Sequence, residues 1–266
     1  MVYTLCLVNE KGGVGKTTLA ATLAAGLAIR DYRVLLIDAD PQGHATLSLK
    51  VKEQPGLHQL LVGDAEWQSV LASPMWKHWR GRYITTGDLF VLPGNIETRL
   101  IAQQVSDMAR LRNRLDDLGS YVDVAIIDTS PTPTLLHTLL YYAADALILP
   151  TTCDSLALDG IGKTVVHSKG MARLRNESGI VPAKLIGVQP TIFNPRLNAH
   201  REGLRTLDKH FGEYVWPAIV ERTVWRDAGY RRQSIFAYVG EHPAIDEAWG
   251  FVDQVSKHIP SKEAFR

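Results

Sequence analysis

The chain has 266 residues, 45% of them hydrophobic and 21% charged, with a formal net charge of +1. Such a chain can bury a sizeable core and is neither collagen-like nor disordered. Its near-zero charge excludes global attraction to nucleic acid, so any basic surface must be local. Two cysteines, Cys6 and Cys153, lie far apart without metal-ligand spacing, no window reaches the length of a membrane span, and no leader-like segment precedes the first elements. The expectation is a cytoplasmic protein with both thiols reduced.

Residues 3–8 form a short apolar, β-rich run, followed by a glycine cluster and then by the Ala/Leu-rich stretch 17–28, which predicts strand, loop and helix. Residues 33–37 are continuously apolar, the pattern of a parallel strand covered on both faces. The stretch 51–83, with Trp67, Trp76 and Trp79 among Lys and Arg, is the least regular part and reads as an insertion or lid-like segment. Further strands are predicted at 89–92, ending at Pro93-Gly94, and at 122–127, 146–149, 184–189 and 215–219. Helices are predicted at 99–118, 134–144, 155–176 and 196–211, with a final docking helix within 249–266, broken by Pro260. Strands alternating with helices throughout predict a single α/β domain, a mostly parallel twisted sheet flanked by helices on both faces.

The loop after the first strand reads Asn9-Glu10-Lys11-Gly12-Gly13-Val14-Gly15-Lys16-Thr17-Thr18. Gly12, Gly13 and Gly15 let consecutive backbone N–H groups turn inward on phosphate oxygens, and the helix that follows adds its N-terminal dipole. Lys16 is placed to reach the β- and γ-phosphates and the Thr17 hydroxyl to coordinate Mg²⁺. The glycine usual at the start of such a loop is replaced by Glu10. Asp38 and Asp40 follow the second strand and Asp128 a later one, where carboxylates of parallel strands gather around a ligand. Asp128 and Asp38 read as magnesium carboxylates and Asp40 as the group orienting an attacking water. For each aspartate the competing reading is a cap on the next helix.

Lys11 together with Gly12-Gly13-Val14-Gly15-Lys16-Thr17-Thr18 resembles the deviant phosphate loop of the ParA/MinD family of P-loop ATPases. Leu36-Ile37-Asp38-Ala39-Asp40-Pro41-Gln42-Gly43 with Ala45-Thr46 resembles its ParA (Soj-like) branch. Further matches are Asp128 with Pro131, Ala143-Ala144-Asp145 before a strand ending at Pro150, Ser155 to Gly160, and the stretch from Arg226 to Ile235. The family's Gly and Pro in that last stretch are Arg232 and Ser234, and Glu221, beside Arg222, stands where a basic residue is common. No helix-turn-helix segment lies ahead of the loop, so operator-specific DNA binding is not expected.

The resemblance implies a P-loop NTPase fold, ATP and Mg²⁺ as cofactors, and an ATP-dependent face-to-face homodimer. In that dimer Lys11 reaches the partner's nucleotide and supports turnover, giving a slow, dimer-dependent ATPase. It also implies non-specific DNA binding on the nucleoid and stimulation by a ParB-like or other cargo-adaptor protein. The cargo is a plasmid or chromosome, or a protein assembly such as a carboxysome or chemosensory cluster. Arg196, Arg201, Arg205 and Lys209, with Arg222, Arg226, Arg231 and Arg232, are either the DNA patch or solvated charges paired with Glu202, Asp208 and Asp227. Arg110, Arg112 and Arg114 read as a charged helix face. Adenine-contact candidates, by position alone, are Thr191, Phe193 and Asn194. A MinD-like membrane switch needs a C-terminal amphipathic helix, which the 249–266 tail does not resemble, so no membrane is expected. A nitrogenase-type reductase needs cluster-holding cysteines and a bacterial tyrosine kinase a C-terminal tyrosine cluster, and both are missing.

Overall fold

A computed structural model describes residues 1–74, 83 and 85–265, and the side chains at 155–160 and 163 lie outside the description. Trp76 and Trp79 of the predicted insertion therefore lie outside the described residues, as do the side chains of the Ser155–Gly160 match.

Apolar runs bounded by Gly, Pro or Asp become the strands β1 (Tyr3–Leu7), β2 (Arg33–Ala39), β3 (Asp88–Leu92), β4 (Val124–Thr129), β5 (Ala146–Thr151) and β6 (Lys184–Pro190). They form one six-stranded sheet in the order β3-β2-β4-β1-β5-β6, every pair parallel. All residues of β4 and β5 are buried, which is why their sequences are continuously apolar rather than alternating.

Among the described residues the α-helices are α1 (Lys16–Ile29), α2 (His44–Ser48), α3 (Leu57–Leu61), α4 (Trp67–Val70), α5 (Ile101–Gln104), α6 (Arg110–Asp116), α7 (Leu135–Ala143), α8 (Ser155–Glu177), α9 (Asn198–Phe211), α10 (Thr223–Tyr230), α11 (Ile235–Tyr238) and α12 (Pro243–Ser256). Residues of α1, α2 and α10 to α12 form the core on one face of the sheet, and those of α3 to α9 the core on the other. α12 is the expected docking helix, with Phe251, Val252 and Val255 buried in the α1-side core. Among the described residues no helix is long and apolar enough to cross a membrane.

Two elements differ from the sequence expectation. The helix predicted at 99–118 is broken into a 3-10 turn (Ile96–Leu100), α5 and α6. α5 ends at Gln104, where Val105 turns extended, and ahead of α6 the Asp107 carboxylate accepts from Ala109 N at 2.9 Å, so a short polar side chain holds a non-helical turn between the two. The strand predicted at 215–219 reduces to an isolated bridge between Val215 and Val188. Pro217, in the middle of that run, has no N–H for a ladder. The basic residues of α6 do form a charged face, with Arg110 and Arg114 on Asp64 and Arg112 on Asp145 at 3.2 Å.

Candidate active site

Strand β1 flanked by β4 and β5 puts the glycine loop at the point where strand order reverses, the usual ligand crevice of such sheets. Asn9 fixes the loop's start: its Nδ2 donates to Pro150 O at 2.8 Å and its Oδ1 accepts from Lys11 N at 2.8 Å. Gly13 (φ 75) and Gly15 (φ 84) adopt left-handed conformations that favour glycine. Gly12 does not, and a Cβ there would sit 3.7 Å from Pro131, an ordinary contact. Gly15 is the N-cap of α1, so the first-turn N–H groups, without intrahelical partners, belong to Lys16, Thr17 and Thr18. Lys16 is buried, and its ammonium donates to Asn9 O (2.8 Å) and Lys11 O (3.0 Å), which holds it across the loop. Burial lowers its pKa, against the stabilising fields of Asp128 and Asp40.

The β2–β4 register sets Asp38 directly beside Asp128. Asp38 is committed to the turn that follows it: Oδ2 accepts from Thr46 N and Thr46 Oγ1, both at 2.7 Å, and Oδ1 from Asp40 N at 3.2 Å. Gly94 backs this segment, since a Cβ there would lie 2.6 Å from Asp38 O and 2.7 Å from Asp40 O. Asp40 is half-buried and lines the cleft, its Oδ1 accepting from Gln42 N at 2.9 Å. Asp128 is fully buried, and neither of its carboxylate oxygens has a hydrogen-bond partner. Burial pushes its pKa well up, and the Asp38 carboxylate adds to the rise, against the Thr17 hydroxyl and the Lys16 ammonium. Burial likewise raises Asp38 to about 6, against the hydrogen bonds from Thr46. An orphaned buried carboxylate near a threonine hydroxyl fits a hard divalent cation that takes its other oxygens from phosphate and water.

Lys11 points to the end of β5. Its ammonium forms an ion pair with Asp154 Oδ1 at 2.6 Å and a 3.3 Å hydrogen bond to Thr152 Oγ1 in its own chain. Glu10, one residue earlier, approaches His167 of α8 at 3.7 Å, and its N–H donates to Thr164 Oγ1 at 3.4 Å.

Above the loop lies a cleft of about 690 Å³, lined by residues 12–18, Asp40, Gln42 and the 129–132 segment. An apolar pocket of about 250 Å³ shares Gly15, Thr18 and Ile192 with it and is walled by Leu19, Ile219, Val220 and Trp225. Of the three adenine-contact candidates only Thr191 lines this pocket. Phe193 packs against the core on the α9 side. Asn194 lines neither cavity, and its N–H donates to His200 Nδ1. Sequence reasoning missed Trp225, whose one signal was its position directly before the Arg226–Ile235 match.

The basic residues divide. Arg222 pairs with Glu247 at 2.8 Å and Arg226 with Glu221 at 2.7 Å, rather than with Asp227. Arg196, Arg201, Arg205 and Lys209 are exposed on or just before α9, and Arg231 and Arg232 are exposed after α10.

Residues 2–178 match the family model described as an AAA domain. A chromosome partitioning protein ParA of Myxococcus xanthus is 33% identical over 224 residues, covering 83% of this chain and 75% of its own length. Apo McdA of Cyanothece superposes with a TM-score of 0.79 at 20% identity, covering 96% of this chain and all (100%) of that one. The septum site-determining protein MinD of Pyrococcus horikoshii, complexed with Mg-ADP, superposes with a TM-score of 0.74 at 19% identity, covering 97% of each. With the glycine loop, its lysines and the strand-end aspartates arranged as above, the chain belongs to the ParA/MinD family of P-loop ATPases and is a ParA-type ATPase.

Proposed function

We propose that this ATPase works as an ATP-driven dimer switch: it binds non-specific DNA in the ATP state and is stimulated to hydrolyse by a cargo-bound adaptor, so moving or spacing cargo over the nucleoid. The observation that carries the site assignment is that Lys16 and Asp40 line the cleft of the glycine loop, with the orphaned, fully buried Asp128 acting electrostatically on Lys16 from beneath it.

In this reading residues 11–18 cradle the triphosphate with backbone N–H groups, and Lys16 leaves its two carbonyl partners to neutralise the β- and γ-phosphates. Thr17 and Asp128 hold Mg²⁺, with Asp38 beside Asp128 shaping the turn that presents Asp40. Bound there, the cation supplies charge neutralisation on the transferring phosphoryl group. Asp40, free on one oxygen and facing the cleft, orients the attacking water. Lys11 leaves Asp154 and reaches the partner's nucleotide in the dimer. The base lies in the apolar pocket walled by Ile219, Val220 and Trp225. The exposed cations of α9 and residues 231–232 supply phosphate contacts that double in number on dimerisation. Burial of the apolar face of α12 against α1 favours DNA over a membrane as the matrix.

The test is binding to non-specific double-stranded DNA with ATP, with ADP and without nucleotide, over a salt series. Binding seen only with ATP and falling steeply with salt is the expected result. ATP-dependent dimers that bind no DNA under any condition would refute the DNA half and direct the search to another matrix. The gene neighbourhood separates a plasmid or chromosome cargo from a protein assembly.

A further inference from the structure

The segment after β4, Ser130-Pro131-Thr132-Pro133-Thr134, forms one wall of the phosphate cleft and lies over the glycine loop, where Pro131 faces Gly12. Its two prolines carry no N–H, so it has little means of holding its own shape. Among the described residues the one hydrogen bond made wholly within it is Ser130 Oγ to Thr132 O, at 3.3 Å. What ties it down is the imidazole of His137, buried in the first turn of α7. Nε2 lies 3.0 Å from Ser130 O, and Nδ1 accepts from Thr134 N at 3.1 Å with the Thr134 hydroxyl at 3.3 Å. A carbonyl can only accept and a backbone N–H can only donate, so this pair of contacts demands a neutral ring protonated on Nε2. The ring is a strut between the two ends of the loop.

We propose that His137 is a positioning residue for the nucleotide cycle: its neutral Nε2–H ring holds the 130–134 wall against the glycine loop, and a second proton on Nδ1 releases the Thr134 end. This rests on the reading of the cleft as the nucleotide site. Protonation turns Nδ1 into a donor facing another donor, Thr134 N–H, so the charged ring cannot make the contact the neutral ring makes. The groups facing the ring are His167 of α8, Glu10 and Lys16 of the glycine loop, and Tyr141 one turn along α7, its ring 6.0 Å from that of His137. Burial lowers the His137 pKa most; His167 and Lys16 lower it further, and Glu10 and the Ser130 carbonyl oppose them. The wall is therefore held at neutral pH and released on acidification below the ordinary histidine range of about 6.5.

The experiment measures steady-state ATPase activity of the full chain from pH 5 to pH 8 for the wild type, His137→Gln, His137→Phe and His167→Gln. His137→Phe leaves Thr134 N–H without an acceptor and should lower kcat/KM by about tenfold at pH 7.5. His137→Gln restores an acceptor at the third helical position and should recover most of that loss. Asp38 titrates in the same window, so the deciding readout is a difference: an acid-limb inflection present in wild type and His167→Gln and absent in His137→Gln. In parallel, nitrogen-15 NMR of imidazole-labelled, nucleotide-free protein at pH 7.5 should show His137, assigned by its absence from His137→Gln, as the Nε2–H tautomer. An inflection unchanged in His137→Gln, or a proton on Nδ1, would overturn the proposal. The tautomer needs neither nucleotide nor turnover, so it stands even if the Phe variant fails to fold. Loss of the ATPase reading would show instead as absent ATP binding in the wild type at every pH.

Discussion

Replacing Asp128 by Asn should make the nucleotide-free protein more stable while disabling it. The carboxylate is fully buried with both oxygens unpartnered and lies beside Asp38, so its charge is uncompensated except by the nearby Lys16 ammonium and Thr17 hydroxyl. An amide of the same shape removes that charge, and relief of one buried, poorly paired charge is worth about 1–3 kcal/mol. For 266 residues, an unfolding entropy of about 2.1 cal/mol/K per residue makes this about 2–5 °C in Tm. The pH dependence has a definite sign. Because the folded-state pKa lies above 3.8, the folded protein binds the extra proton, and stability from this group falls as pH rises from 3.8 toward the folded value. The gain from Asp128→Asn is therefore largest at pH 8 and shrinks as pH falls toward 3.8. Thermal scans at pH 5, 6.5 and 8 measure it, and a second series with saturating Mg²⁺ and ATP should stabilise the wild type but not the variant. A variant that melts below the wild type at pH 8, or that keeps the wild-type pH slope, would refute the uncompensated-charge reading.

Lys16→Ala should abolish ATP binding, because it removes the ammonium held across the glycine loop by Asn9 O and Lys11 O, and isothermal titration showing wild-type affinity would sink that role. Lys11→Ala should leave ATP affinity within about threefold, since no binding contact of the free chain depends on it, while turnover collapses; undiminished hydrolysis would remove its cross-subunit role. Asp154→Asn weakens a pair whose side chains are 26% and 39% exposed, an interaction worth about 0.2–1 kcal/mol. Freed from it, Lys11 should strengthen ATP-dependent dimerisation by about two- to fivefold, and sedimentation showing unchanged association would mean the pair does not hold the lysine back.

The strands were legible because a parallel sheet covered on both faces leaves a run of buried apolar residues with a sharp polar end, as in Val34 to Ile37 followed by Asp38. The misread elements failed at single residues whose local chemistry outweighs the pattern around them. Asp107 captures Ala109 N and holds the turn between Val105 and α6 in a stretch whose periodicity is otherwise helical. Pro217 leaves an apolar run with one bridge where a strand was expected. Neither residue changes hydrophobic periodicity, so a reading weighted toward periodicity passes over both.

The site was legible in its residue types and not in its division of labour. Asp38 and Asp128 carry the same side chain at the same level of adjacent strands, and in sequence both suit a magnesium carboxylate. What separates them is three donors: Thr46 N, Thr46 Oγ1 and Asp40 N occupy Asp38, while nothing occupies Asp128. Those donors reach Asp38 because the chain turns tightly from Asp40 to Thr46, and Gly94, just after β3 and outside the motifs, lets that turn pack against the end of β3. The Thr46 hydroxyl closes the arrangement by accepting from Gly94 N at 3.2 Å. A side chain at Gly94 would displace the Asp38 and Asp40 carbonyls together, and with them the carboxylate facing the cleft. The second carboxylate motif is thus built as much by the turn after β3 as by its own residues, and that dependence is three-dimensional.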